Sequence, residues 1–312
     1  MNTFAADVLG CKTPLILAPL AHLASNELIA TITNAGGIGT LPVHRLRPEQ
    51  TRERLQHIRS LTNGPIMVSF TGEWERDENL DVILEFEIQL AMVFWWNAPR
   101  LIHRLQAHGI KVGWQIGTDD QLSDALSRDA DFIIAQGLEA GGHRGMFLTD
   151  DLSTQIGTFA LLPQIVNAVR VPVIAAGGIA TSQGVVAARH MGASGVQIGT
   201  AYLCSHEATT SALHRAVLQS PAAQHTALTN LFTGRPARGI VNRVMRELGP
   251  IGAQVPAFPL ATAAIASLRA AAESAGSSDF TPLWSGQNTC GTRHLGAADI
   301  TQDFVRAWQA TA

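Results

Sequence analysis

The side chains best equipped for chemistry in this chain cluster at Gln136, Glu139, His143 and Arg144. Residues 130–136, ADFIIAQ, form an apolar run of strand length that ends on an amide. Four glycines, Gly137, Gly141, Gly142 and Gly145, then fall within nine positions and carry an imidazole and a guanidinium out of the strand. Glycine backbone can approach a flat or phosphorylated ligand closely, and it can turn through positive φ to aim N–H groups inward. A plain strand-to-helix turn would account for one or two of these glycines, but not for four among four polar side chains. The segment from residue 138 to 157 is also long, since a βα loop typically runs about 2–6 residues. On a rigid strand it reads as a lid or substrate wall. His143 can give or take a proton near neutral pH, with Arg144 or a ligand as neighbour. The bland alternative is a hydrogen-bonded packing histidine.

The elements that must position this stretch alternate along the chain. Strands are expected at residues 14–22, 38–43, 65–71, 91–96, 111–117, 130–136, 171–178 and 194–203. Helices are expected between them, at 26–34 with a Ser25 or Asn26 cap, then 48–61, 79–90, 99–108, a segment capped by Thr118 or Asp119, then 158–170, 182–191 and 207–219. Eight strand–helix units in about 200 residues is the count of a TIM (β/α)8 barrel. A doubly wound open sheet is the competing topology, but no GxGxxG fingerprint follows the first strand. The chain divides on this reading into a barrel over 1–220 and a C-terminal extension over 221–312 that covers the barrel mouth. Residues 304–308 read as an amphipathic helix docked on the barrel.

In a barrel the chemistry belongs at the carboxyl ends of the strands. There the sequence offers Ala18, Pro19 and Leu20 after the first strand, Ser69 on the third and Gln136 on the sixth. Gly177 and Gly178 follow the seventh, and Gln197, Ile198, Gly199 and Thr200 lie on the eighth. Glycines after strands seven and eight, each leading to a helix start, make a main-chain phosphate site. With Lys12 and Lys111 the only lysines, a phosphate would have to be held by backbone and hydroxyl groups.

Composition excludes several classes. Charged residues are only 15% of the chain and the net charge is −3, so no basic surface exists for nucleic acid. No apolar run reaches membrane-spanning length and no leader pattern is present, so a cytoplasmic protein is expected. Cys11, Cys204 and Cys290 lie far apart, which predicts reduced thiols packed as small hydrophobes. HExxH, CxxC and nucleophile-elbow motifs are all missing, which leaves zinc hydrolysis and serine acyl transfer without support and predicts no metal. His57, His103, His108, His190 and His214 fall on expected helices and read as solvated or helix-end residues.

Three blocks in order carry a resemblance. Residues 135–145, AQGLEAGGHRG, are followed by 172–179, PVIAAGGI, and 192–200, GASGVQIGT. They resemble the nitronate monooxygenase family, formerly 2-nitropropane dioxygenase, and the similarity extends to 233–240, TGRPARGI, and 284–287, WSGQ. The resemblance implies an FMN-dependent barrel that oxidises alkyl nitronates with O2. Matched motif to motif, Ala18 to Leu20 would run under the flavin ring, Gln136 would bond its pyrimidine edge, Gly141 and Gly178 would let backbone approach, and Gln197 to Thr200 would take the phosphate. His143 falls on the family's catalytic histidine. Trp284 to Gln287 would reach the flavin's outer face. Two departures stand out. Ser69 replaces a frequent asparagine, and Phe94-Trp95-Trp96-Asn97 replaces a Phe-His-Phe-like run, so Trp95 would reshape the substrate pocket. Two further readings share these signals: an NAD(P)H-dependent flavin reductase of quinones or enoyl thioesters, and a flavin-free phospho-ligand barrel acting as a lyase or isomerase. The sequence leaves a homodimer open.

Overall fold

The computed structural model describes residues 7–43, 46–71, 77–95, 99–118 and 120–310. Trp96, Asn97 and Asp119, named above, lie outside these residues. The strands are β1 (Leu15–Leu17), β2 (Gly39–Pro42), β3 (Ile66–Thr71), β4 (Leu90–Phe94), β5 (Lys111–Ile116), β6 (Phe132–Gln136), β7 (Gly142–His143), β8 (Val173–Ala176), β9 (Gly195–Ile198), β10 (Thr226–Thr229) and β11 (Ala237–Ile240). Eight of them form one parallel sheet in the order β1-β9-β8-β6-β5-β4-β3-β2. Its two ends meet through a parallel bridge between Ile16 and Ile38, where Leu17 N donates to Ile38 O at 2.9 Å and Ile38 N to Leu15 O at 2.8 Å. The sheet thus curls into the expected (β/α)8 barrel.

Strand alternation sorts the side chains into two cores. Val68, Phe70, Val93, Val112, Trp114, Ile133, Ala135, Val196 and Ile198 face the helices. Ile16, Ile38, Met67, Met92, Phe132, Ile134 and Ile174 fill the barrel interior. Both faces of each strand are buried, which is why these strands are apolar runs rather than alternating ones. The layers of interior side chains make the barrel a packed core whose upper end supports the site.

The first and eighth expected strands are shorter than their apolar runs. The chain leaves β1 into a single 3-10 turn at Ala21–Leu23, and leaves β9 into another at Thr200–Tyr202. The helical ring also differs from expectation. The helix after β9 is only Ala212–Leu218, and the C-terminal helix Ala297–Gln309 packs instead between helices Asn26–Asn34 and Ser182–His190, in the eighth position of the ring. Its stripe of Ile300, Phe304 and Trp308 is buried there. Tyr202 Oη shares a 2.9 Å hydrogen bond with Thr301 Oγ1, and Glu207 Oε2 accepts from Ala297 N at 2.8 Å, which caps the helix. The C-terminal helix therefore completes the ring around the barrel.

The rest of the C-terminal part comprises β10, β11, helix Arg243–Leu248 and helix Leu260–Ser274. β10, β11 and β7 form a small antiparallel sheet, with Ala237 opposite His143 and Arg238 opposite Gly142. No helix among the described residues is long and apolar enough to cross a membrane. Cys204 is buried and Cys11 half-buried as expected, but Cys290 is exposed, where it bonds to Asn288 Oδ1 rather than packing as a hydrophobe.

Candidate active site

The barrel mouth opens into a cavity of about 470 Å3. Its floor is made by Thr71, Phe94, Gln115, Gln136, Ala176 and Gln197, the uppermost inward-facing residues of β3, β4, β5, β6, β8 and β9. Thr71 occupies the place expected for Ser69. Ser69 is one inward position lower on β3, wholly buried beneath the floor, and its Oγ has no partner. Ala18, Pro19 and Leu20 form one wall, and Gly177, Gly178, Gly199 and Thr200 another. Ile198 is absent from that wall. Its side chain points into the helix layer, while its carbonyl accepts from Ala18 N at 2.9 Å.

The glycine loop after β6 crosses this mouth and is fastened at every step. Gln136 Nε2 donates to His143 O at 3.0 Å, and Gly145 N donates to Gln136 Oε1 at 2.6 Å, so the amide at the strand end braces the loop from below. Arg144, expected to stand beside His143 at the ligand, turns the other way. It is completely buried, and its guanidinium donates to Gln136 O (2.9 Å), Gly137 O (2.9 Å) and Gln155 Oε1 (3.0 Å). Burial, with the Arg238 charge nearby, pulls Arg144 down to about 9, against the pull of Glu139, so it stays charged at neutral pH. Arg238 Nε takes the next carbonyl, Leu138 O, at 2.9 Å. Glu139 accepts from Thr158 N at 2.8 Å and Thr158 Oγ1 at 2.8 Å, capping helix Thr158–Ala168 from across the loop. Glycine is required at Gly141, because a Cβ there would come within 2.5 Å of Gly286 N.

These fastenings present His143 to the cavity. Its Nε2 lies 2.9 Å from Thr233 Oγ1, and that hydroxyl donates to Arg235 O at 3.2 Å. The imidazole is set among aromatic rings: Trp95 at 4.6 Å, Phe258 at 5.9 Å and Trp284 at 5.9 Å between centroids. Trp95 stands behind His143 rather than lining the cavity. It holds a left-handed φ of 62°, which is costly for a bulky residue. Its indole N–H bonds to Arg144 O and Arg235 stacks on its ring at 4.8 Å, so the surroundings enforce the strained conformation.

The stretch after Trp284 is stitched to the barrel. Gly286 N donates to Thr200 Oγ1 at 2.9 Å, Gln287 N to Glu139 O at 2.9 Å, and Asn288 Nδ2 to Gly178 O at 2.7 Å. Trp284 lines the cavity, whereas the Gln287 side chain points to solvent and Asn288 takes the lining position. Beneath Trp284 lies His214, buried at 4% exposure rather than solvated. Burial pulls its imidazole down to about 4, although its ring bonds to the Trp284 backbone. Phe232, Thr233, Phe258 and Thr262 are lining residues that the sequence did not single out. Thr233 lies in a quoted motif, but nothing in the motif says that it reaches an imidazole.

Residues 70–306 match the model of the nitronate monooxygenase family. The chain belongs to that family. A protein of Staphylococcus saprophyticus named "Probable nitronate monooxygenase" is 30% identical, with 98% of this chain and 97% of that protein covered. One of the same name from Staphylococcus aureus is 31% identical over 90% of each. Among solved structures, nitroalkane oxidase from Streptomyces ansochromogenes superposes with a TM-score of 0.89 at 28% identity, covering 98% of both chains. FabK from Thermotoga maritima superposes at 0.82 with 24% identity over 98% of this chain and 96% of that one, a likeness of fold. Family membership makes this protein an enzyme, a flavin-dependent monooxygenase.

The residues at the mouth fit a flavin. Gln197 is 5% exposed and its Oε1 has no partner, although its Nε2 donates to Gln115 Oε1 at 3.1 Å. A buried acceptor left unsatisfied costs about 1–3 kcal/mol, so it calls for a donor from a ligand. Opposite it, Gly177 holds φ +102°, and a Cβ there would meet Gly137 O at 3.0 Å. Among the described residues the N–H groups of Gly178, Gly199 and Thr200 donate to no backbone acceptor, which leaves them available to an anion.

Proposed function

We propose that the protein is an FMN-dependent nitronate monooxygenase that oxidises alkyl nitronates with O2, working in the cytoplasm. The observation that carries this reading is the meeting of His143, Gln197 and the Gly177–Gly178 and Gly199–Thr200 turns around one cavity. The two glycine turns and the Thr200 hydroxyl would hold the FMN phosphate without any lysine. Ala18 to Leu20 would support the ring system, and Gln197 would bond its polar edge. Gln136, whose amide already braces the loop, would present its remaining N–H. When bound, FMN supplies the redox chemistry between substrate and O2.

The protein's own part is binding, orientation and proton handling. His143 is held by Thr233 on one side and by the Gly142–His143 strand pairing on the other, so its ring stays over the cavity. As imidazolium it would bind an anionic nitronate, and as neutral imidazole it would remove the α-proton of a neutral nitroalkane. The aromatic rings around it would lower the local polarity once a ligand fills the cavity, which would strengthen the attraction between imidazolium and nitronate.

The test is anaerobic mixing of the yellow protein. A nitronate should bleach the flavin and NADH should not. Rapid bleaching by NADH with no response to nitronate would make the protein a flavin reductase instead, and a colourless preparation that takes up no FMN would remove the flavin altogether.

A further inference from the structure

We propose that this site selects nitronates bearing an aromatic or other flat conjugated group over small alkyl nitronates, an inference that rests on the function proposed above and names its substrate class. The cavity is chemically divided. On the side of β8 and β9 it offers glycine backbone and a hydroxyl, at Gly177, Gly178, Gly199 and Thr200. On the side of His143, Phe258 and Trp284 line it beside the imidazole, with Phe94 in the floor and Phe232 packed on Trp284.

Phe232 and Trp284 lie 5.6 Å apart at 90°, His143 and Phe258 lie 5.9 Å apart at 89°, and His143 joins the two pairs through Trp284 at 5.9 Å with a 42° tilt. Trp95 packs against Phe258 from outside at 5.4 Å and 80°, which fixes the Phe258 ring in place. Phe258 and Trp284 are only half-buried and present surface to the cavity, whereas Phe232 is buried behind Trp284.

Position turns this lining into selectivity. His143 has the Phe258 and Trp284 centroids each 5.9 Å away. A substituent on the carbon that His143 addresses is therefore within reach of both rings. An alkyl group there gains only from removal of apolar surface from water. A planar conjugated group adds edge-to-face or offset-stacked contacts at centroid separations of about 4.5–7 Å, and two such contacts are worth about tenfold or more in affinity.

The experiment compares kcat/KM for the nitronates of phenylnitromethane and nitroethane, read by oxygen consumption with the FMN-loaded enzyme. The phenyl substrate should be favoured by about tenfold or more. Phe258→Leu and Trp284→Leu, checked for native circular dichroism and flavin content, should each bring the ratio toward one. Binding of benzoate and of propionate, read from the visible flavin spectrum, should show the same preference without turnover. A ratio of one or below in the wild type, with benzoate binding no tighter than propionate, overturns this selectivity while leaving nitronate oxidation intact. Failure of the loaded enzyme to oxidise either nitronate would instead overturn the proposed function, and the two carboxylates would still decide whether the wall selects rings.

Discussion

His143 Nε2 lies 2.9 Å from Thr233 Oγ1, a contact across 90 residues that ties the glycine loop of the barrel to the segment lying over its mouth. The same hydroxyl lies 3.2 Å from Arg235 O, so Thr233 fixes the imidazole in position over the cavity. Thr233→Val should lower kcat/KM about tenfold with flavin content unchanged, whereas Thr233→Ser should retain most activity. Steady-state oxygen consumption checks both variants.

Arg144 should behave as a structural strut. Replacing it by Met leaves the Gln136 carbonyl and Gln155 Oε1 without the guanidinium, and the Gly137 carbonyl with only Ala140 N at 3.1 Å, a loss of about 1–3 kcal/mol. Urea unfolding followed by circular dichroism should show a lower midpoint with an unchanged slope. Equal stability of Arg144→Met and the wild type would mean that water replaces the guanidinium.

His214 predicts a pH dependence. Its imidazole is pulled down to about 4 in the folded protein, against 6.5 as the ordinary value. Between those values the unfolded chain binds a proton that the native state refuses, so stability is present above pH 6.5 and is lost as pH falls toward 4. The loss amounts to about 3 kcal/mol at 1.36 kcal/mol per pH unit. His214→Gln should flatten this part of the stability profile. Because the His214 ring bonds to the Trp284 backbone, acidification of the wild type should change tryptophan emission near pH 4, where the native imidazole takes up its proton.

Gln197 tests the flavin cradle separately from catalysis. Its Oε1 has no partner among the described residues, so Gln197→Leu should weaken flavin binding by about tenfold to a hundredfold. Equilibrium titration of the stripped protein with FMN measures this. Unchanged affinity would show that the amide lies off the flavin.

The barrel was legible because strands buried on both faces are continuous apolar runs, and β3, β6 and β8 stand out as such between capped helices. The glycine turns that line the cavity were legible for a related reason, since glycine density marks places where backbone approaches a ligand. What stayed hidden depends on long-range partners. Arg144 beside a histidine in a glycine loop reads as a ligand-binding cation, and only the fold reveals the carbonyls of Gln136 and Gly137 beneath it. Strand β7 has two residues, too few for any periodicity, so its pairing with β11 left no trace. Ser69 and Thr71 share a face of β3, and choosing between them requires the height of the barrel floor, which a single strand does not encode. Residues 304–308 announced a docked helix, but its place as the eighth of the ring depends on helices more than a hundred residues earlier.

The most direct measurement is turnover by His143→Ala at matched flavin content, assayed with neutral nitroethane and with its nitronate. Removing a positioned acid–base group should cost the neutral substrate about a hundredfold or more in kcat/KM, and loss of the imidazolium should also weaken use of the nitronate. If the variant keeps full FMN and oxidises both forms as fast as the wild type, the imidazole at the centre of this site takes no part in the reaction.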